Sequence, residues 1–206
     1  PENNNKDLCI SVPSGNFGNI CAGIISAKLG LPVTHFIAST NVNDTVPKFL
    51  ETSNYKPKPS KQTISNAMDV GNPSNFVRIM EIFNNDLNKM KRLFSSYSFN
   101  DTQTLEAITS VYKKHKYVLD PHGAVGYLGL KKYLKENINK TGIFLETAHP
   151  IKFSKEVEKS LKITIDKPKL IDALIKKDKK SIDIKNYNDF KDKLLKINQM
   201  NNLRED

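Results

Sequence analysis

Val12 to Gly23 reads VPSGNFGNICAG, and the reading of this stretch decides the fold. Before it, Leu8 to Val12, LCISV, is an apolar run rich in branched side chains and bounded by Pro13, the pattern of a buried strand. After it, Phe17 to Leu29 carries small and apolar residues at helical spacing, with Gly30 as the stop. Between strand and helix lie two glycines, two asparagines and a serine. A loop that only reverses the chain rarely combines so much backbone freedom with so many hydrogen-bonding groups. Val33 to Ser39, VTHFIAS, then opens a second strand after Leu31 and Pro32. Strand, glycine loop, helix and strand within about thirty residues make a βαβ unit, with parallel strands and a right-handed crossover.

Outward from this unit, Asn43 or Asp44 is placed to cap a short helix near Val46. Ser53 to Lys61 is rich in proline and lysine and reads as an exposed loop, followed by the polar passage TISNAMDVGNPSN from Thr63 to Asn75. Loops of that length in a compact domain are usually functional or mobile. Ser74 caps an expected helix over Asn75–Leu93, and Asp101 one over Thr102–His115. Lys116–Leu119 is a third strand candidate, leading into a helix through DPHGAVGYLGLKKYL. Gly142–Leu145 is a fourth, running into ETAHP. Beyond Phe153 the sequence is helical and rich in lysine. The expectation is an α/β fold, a mostly parallel sheet flanked by helices, with a helical C-terminal tail.

Charge narrows the function. The 206 residues carry a net charge of +10, but only Arg78, Arg92 and Arg204 are arginine. Bidentate readers of bases and phosphates lean on arginine, and no aromatic ladder accompanies the lysines, so a nucleic-acid partner is not expected. The longest apolar stretches, such as Ile20–Ala27, fall far short of the ~20 residues a membrane span needs. Cys9 and Cys21 fit a reducing compartment, and a cytoplasmic location is expected. His35, His115, His122 and His149 are scattered without metal-ligand spacing.

Ligands of parallel sheets lie in the crevice beyond the carboxyl ends of the strands. SGNFGN occupies that place after the first strand. Gly15 and Gly18 would let the backbone turn its amides inward and allow close approach. The helix that follows begins with unsatisfied N–H donors and a positive dipole end. Together these features make an anion cradle suited to a phosphate. Asn16 and Asn19 add donors that stay neutral at every pH. The plainer alternative is a tight strand-to-helix turn. The spacing is neither G-x-G-x-x-G nor that of a P-loop, which disfavours a dinucleotide or ATP. Thr147, after the fourth strand, could meet a ring nitrogen or cap a local turn. His122 and His149 each flank a proline and read as structural or solvated. Asp44, Asp69 and Asp120 read as caps or turn formers. No serine–histidine–acid order and no paired carboxylate stands out.

Four segments in order, VPSGNFGN, GLPVTHFIASTNVNDTVPKF, SNAMDVGNPSNF and FLETAHPIKF, closely resemble the second half of the bacterial and fungal threonine synthase family. The resemblance runs from about Asp7 to Glu158, the tail matching more loosely. It implies part of a fold type II pyridoxal-phosphate enzyme, one that makes threonine from O-phospho-L-homoserine and water and releases phosphate. It also implies that Gly15, Asn16, Phe17, Gly18 and Asn19 hold the phosphate of pyridoxal 5′-phosphate, and that Thr147 faces the pyridine nitrogen. Residues 1–152 would be part of the cofactor-binding α/β domain and 153–206 a helical C-terminal region. The family's Schiff-base lysine belongs to its first half, and no lysine here lies in a segment resembling that motif. The expectation is a portion of the enzyme that lacks the principal catalytic residue, with the N-terminal half as partner. Two alternatives stand beside it: another fold type II lyase of the serine or threonine dehydratase kind, and a basic binding module without catalysis.

Overall fold

The computed structural model describes residues 7–175 and 177–202. Alternation places Leu8, Ile10 and Val12 of β1 (Asp7–Pro13) in one cluster, while Cys9 lies in another on the opposite face. That two-sided burial is what a central parallel strand requires. β1 pairs with β2 (His35–Thr40) on one side and with β4 (Lys140–Phe144) on the other, and β3 (Phe94–Ser98) extends the sheet beyond β2. The order is β3-β2-β1-β4, and every pairing is parallel.

Helices α1 (Gly18–Lys28), α3 (Phe76–Ile82) and α4 (Leu87–Leu93) contribute Ile20, Ile24, Phe76, Ile79 and Met90 to the core on one face, against Val12, Phe36 and Ala38. On the other face α6 (Pro121–Glu136) packs Leu130 and Tyr133 on Cys9 and Ile37. Close packing there is helped by Ser11, whose hydroxyl donates to the Gly126 carbonyl at 2.7 Å. α5 (Asp101–His115) joins α6 and α7 (Ser154–Leu161) in a further cluster around Ile108, Leu119 and Val157. α2 (Thr45–Thr52) follows β2. The chain divides into two compact units, Pro1–Asp166 and Lys167–Asp206, the second containing α8 (Lys169–Ile175) and α9 (Tyr187–Asn202).

Three local expectations are corrected. Lys116–Leu119 is not a strand: Lys116 takes φ 56° and ends α5, and Leu119 packs in the helical cluster outside any regular element. The third strand is instead Phe94–Ser98, FSSYS, in which Ser96 and Ser98 donate to the carbonyls of Ala38 and Asn41, each at 2.9 Å, rather than marking a loop. The single helix over Asn75–Leu93 is two, broken where Asn84 and Asn85 both adopt left-handed φ, a conformation asparagine tolerates better than most residues. The cap of α5 is Asn100 rather than Asp101. Asn100 accepts from the Gln103 amide, and the Gln103 side chain accepts from the Asn100 amide in return, a reciprocal capping box.

Candidate functional site

The loop after β1 lies at the carboxyl end of an interior strand, where parallel sheets hold ligands. The Ser14 amide donates to the Ser39 carbonyl at 2.8 Å, so it belongs to the sheet. Among the described residues, the amides from Gly15 to Asn19 donate to no protein acceptor, and α1 has no side-chain cap. These are the orphan donors of a helix start, gathered with the loop preceding it.

The turn is not made through left-handed φ at the two glycines. Neither has positive φ; the left-handed residue is Phe17, at φ 62°. Phe17 holds that conformation because its ring is buried and meets Phe76 edge-on at 5.7 Å. Gly15 is instead a place of close approach, since a Cβ there would lie 2.6 Å from the Met68 Cα. Gly18 and Asn19 are exposed, as is Asn16.

Asn16 is clamped from across the chain. Its Oδ1 accepts from the Ser74 amide at 2.6 Å and the Ser74 hydroxyl at 3.0 Å. The Asn75 amide group donates to the Asn16 carbonyl, and Arg78 donates to Asn75 Oδ1 at 3.1 Å. The loop carrying Ser74 is itself tied to the end of β2. Asp69 accepts there from Asn41 at 2.8 Å, from Asn43 at 3.3 Å, and from both the amide and hydroxyl of Thr63. Ser74, Asn75, Asp69 and Asn41 were not identifiable as support from sequence, because each acts on a residue at least 26 positions away.

The end of β4 stands beside β1, with Ser11 opposite Phe144 and the Leu145 amide bonded to the Ser11 carbonyl. Thr147 is therefore carried to the same sheet end as the glycine loop, and it is exposed. His149 caps the short 3₁₀ turn Pro150–Phe153 through its Nδ1, the structural role expected of it. Asp120 caps α6, accepting from the amides of His122 and Gly123, and also faces His122 Nδ1 at 2.7 Å. Asp44 pairs with Lys48 and Lys58, each at 3.2 Å.

Sequence spacing missed one pairing of acids. The Glu146 carboxyl lies over the first turn of α6 at Gly123, whose amide donates to Asp120. Burial, and then the neighbouring Asp120, raise the Glu146 carboxyl to about 8. Burial opposes the charge on Asp120, but its bonds to His122, and then the neighbouring Glu146, win and hold it low. Among the described residues, no group of three or more histidine, cysteine or acidic side chains could hold a metal ion, and no helix is long and apolar enough to cross a membrane.

A parallel sheet with orphan amides at the carboxyl end of an interior strand makes this an α/β protein whose first loop has the donors to take an anion. Residues 3–145 match the family described as Pyridoxal-phosphate dependent enzyme, and the chain belongs to that family, whose cofactor is pyridoxal phosphate. Residues 123–193 match the description Threonine synthase, C-terminal. Threonine synthase of Escherichia coli is 44% identical over 169 residues, 82% of this chain and 39% of its own length. The crystal structure of that enzyme superposes with a TM-score of 0.77, covering 84% of this chain and 40% of the other. The pyridoxal-phosphate-bound threonine synthase of Brucella melitensis gives a TM-score of 0.76 at 28% identity, covering 86% and 43%. The chain thus spans about two fifths of the length of the curated relatives it matches.

Proposed function

We propose that this chain is the C-terminal portion of a threonine synthase, acting on O-phospho-L-homoserine and water to give threonine and phosphate. The observation that carries the reading is the run of amides from Gly15 to Asn19 without protein acceptors, at the sheet end where Thr147 also emerges. In this reading Gly15, Asn16, Phe17, Gly18 and Asn19 hold the cofactor phosphate. The cradle fits a phosphate: its donors are neutral, already held in place by Ser74 and Asn75, and backed by the helix dipole. Bound there, pyridoxal phosphate supplies the electron sink for removal of the substrate phosphate and addition of water. The Thr147 hydroxyl, being neutral, meets the ring nitrogen without demanding that it carry a proton.

The cofactor-anchoring lysine, which also moves protons at the substrate carbons, lies in this reading outside residues 1–206. The N-terminal half of the enzyme is then the partner, and residues 1–152 are one wall of the cleft. The cytoplasm is the expected compartment. The chain alone is expected to bind pyridoxal phosphate weakly and to release no phosphate. Combined with the remainder of the enzyme, it should release phosphate from O-phospho-L-homoserine in preference to deaminating serine or threonine. Turnover by the isolated chain would refute the missing-lysine part of the reading. Preference for serine or threonine would refute the substrate.

A further inference from the structure

We propose that Glu146 is a positioning residue: its carboxyl, packed on Gly123 in the first turn of α6, fixes the main chain that presents Thr147. The consequence for the cofactor rests on the reading of Thr147 given above, but the support itself is visible without it.

Three observations carry the inference. Glu146 immediately precedes Thr147, and its carboxyl lies against Gly123, 23 positions back in the chain, so it holds the end of β4 to the start of α6. Space for its carboxyl has been reserved: a Cβ at Gly123 would sit on the Glu146 carboxyl group. Glycine in a helix is unfavourable by about 1 kcal/mol relative to alanine, so this position in the first turn of a 16-residue helix has a reason beyond helix formation. Finally, the environment selects the neutral acid. Asp120 is wholly buried, and it is already the acceptor for two main-chain amides and the His122 ring. Of two carboxyl groups sharing one buried site, one keeps its proton. Glu146 carries that proton and Asp120 the charge, in line with the directions of their shifts. Glu146 Oε1 is buried without a partner, which an uncharged carboxylic acid tolerates and a carboxylate does not. His122 Nε2 is likewise buried and unpartnered, its ring resting on Phe153 at 4.7 Å. The other titratable group facing the pair is Tyr117, whose own pKa is raised by burial and then by these two acids.

The test uses the chain itself, without cofactor. Infrared difference spectra between pH 6 and pH 9 should show a protonated carboxylic acid that ionises across this interval, and Glu146→Gln should abolish the band. Hydrogen–deuterium exchange at the amides of Glu146 to Ala148 supplies the second readout. Glu146→Gln, which keeps a neutral polar group of the same shape, should exchange as the parent does. Glu146→Leu, which does not, should exchange on the order of fivefold faster, the worth of one polar contact. An acid band that persists in Glu146→Gln overturns the proposal, as does unchanged exchange in Glu146→Leu. If the leucine variant fails to fold, the band and the glutamine rescue still decide. None of these readouts involves the Thr147 hydroxyl. Failure of the Thr147 reading would show separately, as an unaltered cofactor spectrum in Thr147→Val.

Discussion

Replacing Gly15 by alanine is the most direct probe of how the cradle is built. A Cβ at this position would stand 2.6 Å from the Met68 Cα and 3.0 Å from the Ala67 carbonyl oxygen. Carbon atoms in van der Waals contact sit about 3.5–4.0 Å apart, so the two backbones must part by about 1 Å. Neither can yield by rotating a side chain, because both contacts are main chain, and Met68 is itself in the core. Overpacking of this kind costs about 1–3 kcal/mol. The same displacement moves the Gly15–Asn19 amides relative to the phosphate they are proposed to hold. Losing one hydrogen bond to a charged group removes about 1.5–3 kcal/mol, a tenfold to hundredfold loss in phosphate-ligand affinity. Urea denaturation followed by circular dichroism, with pyridoxal-phosphate titration of the same samples, measures both. Gly18→Ala is the matched comparison, since its Cβ meets only the movable Asn75 amide at 3.3 Å and should cost less than about 1 kcal/mol. Equal unfolding midpoints for the two variants would refute the argument that Gly15 is required for backbone contact.

Asn75→Ala leaves the Asn16 carbonyl without its donor and releases Arg78, and should weaken cofactor binding by about 1 kcal/mol with little change in the fold, as read by absorbance titration. Thr147→Val should retain binding in the assembled enzyme while altering cofactor absorbance; an unchanged spectrum and rate would remove the ring-nitrogen contact. His35, buried against Tyr133 with Nε2 2.7 Å from the Ser95 hydroxyl, has its pKa pushed down to about 4 by burial. Its folded pKa lies below the unfolded value, so stability present above pH 6.5 is lost as pH falls toward 4, by up to about 3 kcal/mol. His35→Gln should flatten that limb of a pH–stability curve. Glu146 acts in the opposite direction: its raised pKa gives stability that is full below about 4.5 and lost as pH climbs through about 8, and Glu146→Gln should flatten that limb.

The βαβ unit was legible because its signals are local. Pro13, Gly30 and Pro32 punctuate runs whose period changes from strand to helix and back, and β1, α1 and β2 fall within two residues of the expected bounds. The edge strand β3 was not legible, because its serines look like loop until the parallel neighbour that satisfies them is in place. The run KYVL carried strand-like residues, yet no strand lies beside it, and the left-handed Lys116 turns it into the approach to α6. At the site, the glycine loop could be found from its composition. Its clamp could not, since Ser74 reaches Asn16 over 58 positions and nothing near either residue announces the other. The pairing of Asp120 with Glu146 was hidden for the same reason.

Phe17 carries one further consequence. A left-handed conformation costs an aromatic L-residue about 1–2 kcal/mol, and here that cost is met by core packing against Phe76 rather than by any bound group. The shape of the cradle is therefore set when the protein folds, before an anion arrives. If the loop holds a phosphate as proposed, it has little conformational entropy left to lose on docking, which leaves more of the ligand's binding energy for gripping the rest of the molecule.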